Sequence, residues 1–520
     1  MHKSNKTSNL LRQEGNDFYK KREFFQALLK YNQSLCYAES ESENLGLAYA
    51  NRSAVYFEIK LYDQSLNNIV LAEKNFYPKE NLSILYQRRL KCEEFTRNES
   101  KKYVQNYFKL SLPTNKKLPF VASCLKIENS KKYGRHIITT TDLSVGDIIA
   151  VDKSFCSIPI SESQFVKVSE LNIYQRCNNC MKSSRLNMIP CQSCCYAMFC
   201  SQECYEFAMK YFHQYECPVI TDILKSGSVN MSLRIFFISL ALFGDSINCL
   251  KNFYEENKKN SKNIFDFDFS TTKSVKNMLI MKLKCLLSLS KSSKQYQLAY
   301  QKNILNNHST LHSMYVENKD FIHDFIQDLC QISDHNFHGI FSSNLDTKIF
   351  DNSNLKSLQE PIGSGSFLFT SLINHSCTPN ILRVCLDGEM CLVVCRKIEK
   401  DSQIYDCYKN NFLMERRERR QNILYQHFNF NCDCEACFND WPTLKELIIN
   451  DMKLMKYAKK INDELIESLK TSSKLTNSFK KCKDILQENF KKYPSMELCL
   501  IEKSYVTFLL KLAANHISLF

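Results

Sequence analysis

Residues 177–217 read CNNCMKSSRLNMIPCQSCCYAMFCSQECYEFAMKYFHQYEC, with the spacing C-x2-C-x10-C-x2-C-x5-C-x3-C-x8-H-x3-C. This spacing leaves Cys195 spare and contains seven cysteines and one histidine that can bind zinc: Cys177, Cys180, Cys191, Cys194, Cys200, Cys204, His213 and Cys217. Eight ligands are enough for two tetrahedral zinc ions, because a C-x2-C pair brings two thiolates to about 2.3 Å from one metal. With no coordination position left for water or substrate, these ions are expected to stabilise the fold of the segment and not to catalyse.

The size and composition of the chain indicate a globular protein with several domains. Its 520 residues allow roughly three to four domains of about 150 residues each. The content of 44% hydrophobic and 24% charged residues, with only 10 glycines, argues against a disordered or collagen-like chain over most of its length. The net charge of +14 permits contact with nucleic acid or an acidic partner, although a lysine-rich and asparagine-rich composition alone produces such a value.

The cysteine content indicates metal binding in a reducing compartment. The N-terminal stretch MHKSNKTSNLLRQEG contains no apolar core of signal-peptide length, and the longest apolar run, Ile235 to Phe243, is far shorter than the ~20 residues that span a bilayer. We therefore expect a protein of the cytosol or nucleus without a membrane partner. In such a compartment, 25 cysteines at close spacing favour metal ligands over disulfides.

The N-terminal part of the chain has a helical pattern that occurs twice. A small residue precedes an aromatic residue by three positions in both copies, as Gly15 precedes Phe18 and Ala54 precedes Phe57. A small residue lets one helix approach another while the aromatic ring fills the groove between them. The pattern resembles tetratricopeptide repeats with the ~34-residue period lengthened by a loop, and a plain helical hairpin is the alternative.

Four polar residues of these repeats form a second resemblance. Arg12, Asn16, Asn51 and Arg88 match positions that bind acidic C-terminal chaperone peptides in some tetratricopeptide domains, through charge-assisted hydrogen bonds to carboxylates. The lysine expected four residues before Arg88 is replaced by Ile84. The resemblance implies an acidic chaperone peptide as a possible partner, and a solvated charged surface is the alternative.

A third group of cysteines lies in the C-terminal half. The triad C-x-C-x2-C consists of Cys432, Cys434 and Cys437, which leaves a tetrahedral zinc one ligand short. Cys377, in the turn-forming stretch LINHSCTPN at 372–380, is the natural fourth ligand. We expect this third zinc to tie the cysteine triad to the NHSC turn.

Together these motifs resemble a SET domain split by a MYND zinc finger, as in the SET-and-MYND family of protein lysine methyltransferases. The resemblance rests on YGRH at 133–136, the cysteine pattern of 177–217, NHSC at 374–377, IYDCYKNN at 404–411 and the C-terminal triad. It implies an α+β fold, in which a β-rich SET domain lies between N- and C-terminal α-helical repeat-like domains. The chain is similar to the family branch that carries N-terminal tetratricopeptide repeats.

The resemblance also predicts how the chain is divided. The expected segments are a repeat-like helical domain at 1–112, the N-terminal part of the SET domain at 113–176, the MYND finger at 177–217, a helical SET insertion at 218–360, the C-terminal part of the SET core at 361–428, the zinc loop at 429–440 and a C-terminal helical domain at 441–520.

In MYND fingers the ligands of the two ions are interleaved along the chain. The resemblance therefore assigns Cys177, Cys180, Cys200 and Cys204 to one ion, and Cys191, Cys194, His213 and Cys217 to the other. With the third cluster, three zinc ions are expected. MYND fingers commonly bind short proline-containing peptides, so such peptides are expected partners.

The cofactor implied by the resemblance is S-adenosylmethionine. The residues that match its binding positions are Tyr133, Gly134, Arg135, Asn336, Asn374, His375, Tyr408, Phe428 and Phe430. The backbone at 133–135 is expected to approach the cofactor, since a turn with little side chain permits close contact. By the same resemblance Asn374 and His375 hold the amino-acid and adenine ends, and Phe430 stacks on the adenine.

The implied activity is methyl transfer to a lysine of a histone or another protein, with Tyr408 as the catalytic residue. The chain departs from the usual family pattern at several positions. His136 replaces the second glycine of a Gly-x-Gly loop, Asp401 and Gln403 replace a glycine and an acidic residue, and Phe428 replaces a common pocket tyrosine. The alternative function is therefore that of a catalytically weak or inactive adaptor that recruits protein partners.

A nucleic-acid partner is not expected from these motifs. MYND spacing lacks the projecting recognition helix of fingers that read DNA grooves, so a DNA-binding factor ranks third. The basic run ERRERRQ at 415–421 resembles a nuclear signal or nucleic-acid patch, but it more commonly forms the solvated face of a helix, which is the interpretation adopted.

Overall fold

The computed structural model describes residues 2–98, 107–159, 173–225, 230–342, 360–471 and 476–517. Helices form both ends of the chain and small sheets lie between them, which confirms the predicted α+β class.

Five helices form the N-terminal unit. They are α1 (Asn5–Lys20), α2 (Phe24–Tyr37), α3 (Glu43–Glu58), α4 (Tyr62–Lys74) and α5 (Leu82–Asn98). The Ser4 hydroxyl caps α1 by accepting the Thr7 N–H at 3.3 Å. A Cβ atom added to Gly15 would lie 2.5 Å from the Tyr31 ring, so only glycine lets α1 approach α2 this closely. The assignment to tetratricopeptide repeats stays a prediction.

Short strands form the centre of the molecule. They are β1 (Leu125–Ser130), β2 (Gly134–Thr139), β3 (Ile148–Lys153), β4 (Ser157–Pro159), β5 (Ile189–Pro190), β6 (Met198–Phe199), β7 (Phe337–Ser342), β8 (Glu360–Ser366), β9 (Asn374–His375), β10 (Ile381–Leu386), β11 (Glu389–Val394) and β12 (Tyr405–Asp406). Apolar residues at 137–138 and 148–151 lie on β2 and β3. Gly134 (φ +57°) and Gly146 (φ +92°) form the turns before them.

The described strands pair into five small sheets. Strands β10, β11 and β3 form one antiparallel sheet in that order, and β4, β8 and β7 form another. The hairpins β1–β2 and β5–β6 stand alone, whereas β12 and β9 pair in parallel. The parallel pair is decisive for the site, because it sets Tyr405 beside Asn374 and Asp406 beside His375 although about 30 residues separate them in the chain.

Helices between β6 and β7 complete the finger and form the insertion. They are α6 (Gln202–Ala208), α7 (Gln214–Glu216), α8 (Ile220–Lys225), α9 (Asn230–Leu242), α10 (Ile247–Lys259), α11 (Val275–Leu287), α12 (Ala299–Asn306), α13 (His312–Glu317) and α14 (Lys319–Asn336), with a π-helical turn at Met209–His213. Among the described residues, no single helix has the length and apolar character to cross a membrane. Only α9 and α10 taken together do, and they are bent by 108°.

Five described α-helices follow β12 in the chain, and the last three of them pack against the sheet of β3, β10 and β11. They are α15 (Arg417–Phe428), α16 (Glu435–Phe438), α17 (Met452–Thr471), α18 (Thr476–Asn489) and α19 (Met496–Ile517). On α19, the buried Tyr505 and Phe508 belong to one apolar cluster with Val384 of β10 and Val393 of β11. This packing makes the apolar core of the last three helices continuous with that sheet.

Candidate active site and metal centres

Three clusters of cysteine and histidine side chains have the geometry of zinc sites. Within each, the four ligand atoms lie no more than 4.8 Å from one another. The clusters are Cys177, Cys180, Cys200 and Cys204; Cys191, Cys194, His213 and Cys217; and Cys377, Cys432, Cys434 and Cys437. Thiolate and imidazole donors at tetrahedral spacing fit Zn²⁺, so the expected complement of three zinc ions is confirmed.

The second cluster of the finger is joined to the SET domain by a buried ion pair. The Glu216 carboxylate lies 3.9 Å from His213 Nδ1 and accepts two hydrogen bonds from Arg234, at 2.6 and 2.7 Å. Arg234 also donates to the carbonyl oxygens of Ser157, at 2.7 Å, and Asn178, at 2.8 Å. The Glu216 carboxylate therefore lies behind the ligand histidine at electrostatic range, beyond the length of a hydrogen bond. Sequence reasoning missed this pair, because Arg234 lies in an apolar helix without a local metal-site signature.

The N-terminal helices are joined to the finger by the guanidinium of Arg52, which is fully buried. It donates to the side-chain oxygens of Asn68 at 2.7 Å and Asn32 at 2.8 Å, and to the carbonyl oxygen of Met188 at 2.7 Å. A further bond at 3.1 Å reaches Asn187. The finger therefore serves as the docking surface of the chain's own N-terminal helices, a role that its sequence pattern did not predict.

The third cluster is supported from α15. Arg420, 1% exposed, donates to the carbonyl oxygen of Ala436 at 3.3 Å and to Cys437 Sγ at 3.5 Å. Gln421 exchanges two hydrogen bonds with the backbone of Cys432, at 2.6 and 2.8 Å. The expectation that ERRERRQ forms a solvated helix face is therefore wrong at its C-terminal end, where these two residues turn inward to hold the zinc loop.

The NHSC turn connects the third cluster to Tyr408. His375 Nδ1 accepts the backbone N–H of Tyr408 at 3.0 Å, so Nε2 bears the proton and faces Cys377 Sγ at 3.3 Å. Burial lowers the pKa of His375 to about 4, which keeps the ring neutral at neutral pH. The Tyr408 hydroxyl donates to the carbonyl oxygen of Ile373 at 2.9 Å, and burial raises its pKa, so it stays protonated.

A cleft of about 1550 Å³ runs along this turn. The predicted cofactor residues that line it are Tyr133, Asn336, Asn374, His375, Tyr408, Phe428 and Phe430. Gly134 and Arg135 are not among its described lining residues; Gly134 instead forms the turn into β2. A large cleft with aromatic walls and a few convergent polar groups is typical of a cofactor site.

The aromatic wall of the cleft is formed around Phe428. Its ring centroid lies 5.0 Å from that of Tyr408 and 6.5 Å from that of Phe430. His375 contacts the same wall, with centroids 5.2 Å from Tyr408 and 6.0 Å from Phe430. Edges and faces of these rings provide an apolar surface that also attracts a cation.

Asn336 and Asn374 take different positions in the cleft. Asn336 is 3% exposed, and its amide nitrogen already donates to the carbonyl oxygens of Ser290, at 2.7 Å, and Ile332, at 2.9 Å. Asn374 donates to the carbonyl oxygen of Tyr133 at 3.0 Å and thereby connects the NHSC turn to the β1–β2 hairpin. The roles of both toward the cofactor stay predictions.

A chain of charged and polar groups behind Tyr408 was not predicted. Arg383 of β10 lies 3.2 Å from the Asp406 carboxylate and 2.8 Å from His338 Nδ1. The other ring nitrogen of His338 lies 3.2 Å from the Ser371 hydroxyl. Burial, with a smaller effect from Arg383, lowers the pKa of His338 to about 3, so the ring accepts the guanidinium proton while neutral.

Of the positions that depart from the family pattern, His136 is buried, whereas Asp401 is exposed. His136 is 6% exposed, lies 2.9 Å from the carbonyl oxygen of Gly134 and packs edge-on against Tyr133 at 5.9 Å. Asp401 adopts φ +63° in a turn, and its backbone N–H donates to the carbonyl oxygen of Thr139 at 2.8 Å. The bulk of His136 is thus accommodated in the middle of the hairpin, against the ring of Tyr133.

The four residues predicted to bind a chaperone peptide engage the protein itself. The side-chain oxygen of Asn16 accepts hydrogen bonds from Asn51, at 2.7 Å, and Tyr31, at 2.9 Å. Arg88 donates to Ser53 Oγ at 2.6 Å and Arg12 to Asn9 at 2.6 Å. The structure brings the two asparagines together, and each arginine keeps donors beyond these bonds.

Comparison with known proteins agrees with this geometry. The family model of the SET domain matches residues 134–409, more than half of the chain. The protein-lysine N-methyltransferase SMYD4 of Danio rerio is 28% identical over 243 residues, which cover 45% of this chain and 32% of that protein.

Two further relatives match over longer stretches. SMYD4 of Homo sapiens is 21% identical over 551 residues, covering 82% of this chain and 66% of its own length. The histone-lysine N-methyltransferase ASHR1 of Arabidopsis thaliana is 24% identical over 323 residues, which cover 61% of this chain and 55% of that protein. The chain thus spans a third to two thirds of the length of these relatives.

Proposed function

The chain belongs to the SET domain family, in its SET-and-MYND branch, and on this premise we propose that it is an S-adenosylmethionine-dependent protein-lysine N-methyltransferase. The observation that carries the proposal is the arrangement of His375, Tyr408, Phe428 and Phe430 around one cleft beside the NHSC turn. The residues fit the cofactor by chemistry, since the cleft combines an aromatic wall with the polar side chains of the turn.

When bound, S-adenosylmethionine supplies an electrophilic methyl group on its sulfonium. Asn374 and His375 would hold the cofactor at the turn, and Phe430 would contact its adenine. The rings of Tyr408 and Phe428 form a dry wall that favours the neutral, nucleophilic form of a substrate lysine by desolvation. The Tyr408 hydroxyl, oriented by the carbonyl of Ile373, is placed to align the amine, so no side chain of the cleft needs to act as a strong base.

Calorimetric titration of the zinc-loaded protein with S-adenosylmethionine tests the cofactor site. We expect micromolar binding that Asn374→Ala abolishes and that the exposed Asn306→Ala leaves unchanged. Tyr408→Phe is expected to bind cofactor within about threefold of wild type and to lose transfer of a labelled methyl group to histones or lysate proteins. Absence of binding by a folded, zinc-replete protein would overturn the proposal.

A second candidate function is that of an adaptor. It is favoured by the joining of the repeats and the finger into one block through Arg52, and by Phe428 at the place of a common pocket tyrosine. Cofactor binding without methyl transfer to any acceptor would support the adaptor. Loss of a pocket hydroxyl by itself is expected to change the number of methyl groups transferred.

We also propose the partners and compartment that the motifs imply. A proline-containing peptide would use the face of the finger that the repeats leave open, around the exposed Gln202 and Glu203 of α6. An acidic chaperone peptide would use the remaining donors of Arg12 and Arg88. The cytosol and nucleus keep thiols reduced and available as zinc ligands, which supports either of them as the compartment of this protein.

A further inference from the structure

The two walls of the cofactor cleft contact each other at one ion pair. Lys132 Nζ, in the turn between β1 and β2, lies 2.9 Å from the Asp433 carboxylate in the third zinc loop. The same ammonium lies 4.8 Å from the centroid of the Tyr133 ring. Lys132, Tyr133 and Asp433 all line the cleft, so the pair crosses its opening beside predicted cofactor residues.

The wall that carries Asp433 is fixed. Its neighbours Cys432 and Cys434 are both zinc ligands of the third cluster, and the Cys377 N–H donates to Cys434 Sγ at 3.3 Å. Gln421 holds the backbone of Cys432 from both sides. Metal ligation of the residues on either side leaves Asp433 little freedom to move.

Near its tip, the wall that carries Lys132 is held by one hydrogen bond, from the Asn374 side chain to the Tyr133 carbonyl oxygen at 3.0 Å, and it is attached more firmly at its base. There, Ile404 N–H donates to the Ile137 carbonyl and Thr139 N–H to the Ser402 carbonyl, at 2.8 and 3.1 Å. Toward its tip, β1 and β2 pair with no other described strand, and the residues at 131–134 are exposed. A two-stranded ribbon held mainly at its base can bend at its tip once the few contacts of the tip open.

We propose that Lys132 and Asp433 form a latch that controls the exchange of S-adenosylmethionine. Asp433, in the fixed zinc loop, is the stationary partner of the pair, and the tip of the β1–β2 hairpin is the part that moves. This inference rests on the proposed function, since it concerns the same cleft. It adds that the cofactor enters and leaves past the hairpin tip, and that the tip must release Asp433 for either step.

The latch is expected to affect rates more than affinity. The side chains of Lys132 and Asp433 are 59% and 62% exposed, so the pair is screened by solvent and contributes little to the stability of the fold. Opening is needed for both entry and exit, so removal of the pair accelerates both. We expect association and dissociation rates to rise about two- to fivefold, with the dissociation constant changed less than twofold.

Stopped-flow exchange of S-adenosylmethionine on the zinc-loaded protein measures both rates. The variants are Lys132→Gln, Asp433→Asn and the charge-reversed double variant Lys132→Asp/Asp433→Lys, which rebuilds the pair and is expected to restore slow exchange. Lys131→Gln removes a neighbouring exposed charge and serves as the matched control. Zinc content is measured for each Asp433 variant, because the substitution lies between two zinc ligands. Lys132→Gln tests the latch without changing any residue of the zinc loop.

Ionic strength provides an independent measurement. The exchange rates of the wild type are expected to rise between 50 and 500 mM salt as the pair is screened, and those of Lys132→Gln to stay flat. Unchanged rates in Lys132→Gln, with normal cofactor affinity, would overturn the latch and leave the proposed function standing. A wild-type protein that binds no cofactor would overturn both.

Discussion

His375 stands between the third zinc cluster and Tyr408: one ring nitrogen faces Cys377 Sγ at 3.3 Å and the other accepts the Tyr408 N–H at 3.0 Å. One neutral imidazole thus connects a metal ligand to the backbone of the proposed catalytic residue. The parallel pairing of β9 and β12 holds this contact, because it aligns His375 with Asp406, two residues before Tyr408.

Replacement of this ring is expected to disturb both sites. In His375→Ala, Cys377 loses a hydrogen-bond donor and Tyr408 loses its acceptor, so we expect cofactor affinity or methyl transfer to fall about 10- to 100-fold. Calorimetry with S-adenosylmethionine and a zinc assay measure the two effects. The exposed His312→Ala is the control, and wild-type affinity in His375→Ala would contradict the role assigned to the ring.

Arg420 is expected to hold the third zinc. Arg420→Met removes the donors to Ala436 and Cys437 from a buried position, and we expect the zinc content of the protein to fall from three ions to two during dialysis against a weak chelator. Arg419, one residue earlier, has a side chain that is 70% exposed. Arg419→Met is therefore the matched control and is expected to keep all three ions.

Arg52 is expected to hold the repeats on the finger. Arg52→Met leaves the oxygens of Asn32 and Asn68 buried without their donor, which we expect to cost about 3 kcal/mol of local stability. Amide hydrogen exchange should accelerate by about 100-fold in α2, α3 and the β5–β6 hairpin together. Arg22→Met, at a side chain 73% exposed, supplies the comparison. Unchanged protection across the contact would refute this assignment.

The buried neutral His338 predicts a loss of stability in acid. Its pKa is about 3 in the folded protein and 6.5 ordinarily, so the unfolded chain binds more protons between those values. The contribution is therefore present in full above pH 6.5 and is lost as the pH falls toward 3. At pH 5 the loss from this residue amounts to roughly 2 kcal/mol.

His338→Gln isolates this effect from the pH dependence of zinc binding. The shift of the denaturant midpoint between pH 7 and pH 5, with zinc in excess, is expected to be smaller in His338→Gln than in wild type. The exposed His312→Gln should shift as wild type does. Equal shifts in all three proteins would show that His338 does not titrate as proposed.

The zinc sites were largely predictable from the sequence, for a local reason. Close spacing such as C-x2-C forces two thiolates onto one metal whatever the rest of the chain does. The pairing of Cys377 with Cys432, Cys434 and Cys437 needed only a count of ligands, since three thiolates leave zinc incomplete. The resemblance to the SET domain supplied the cofactor residues, of which seven line one cleft.

What the sequence alone determined, then, was the chemistry of residues close together in the chain: the ligand sets, the α+β class and the NHSC turn. The tertiary structure decided the contacts between distant residues, such as Arg52 with Met188 and Lys132 with Asp433. It also turned Arg420 inward from a run that reads as a charged surface. The residues next to an arginine or lysine in the sequence do not identify its partner. An ion pair or buried hydrogen bond forms only when folding brings the second group to within about 3 Å.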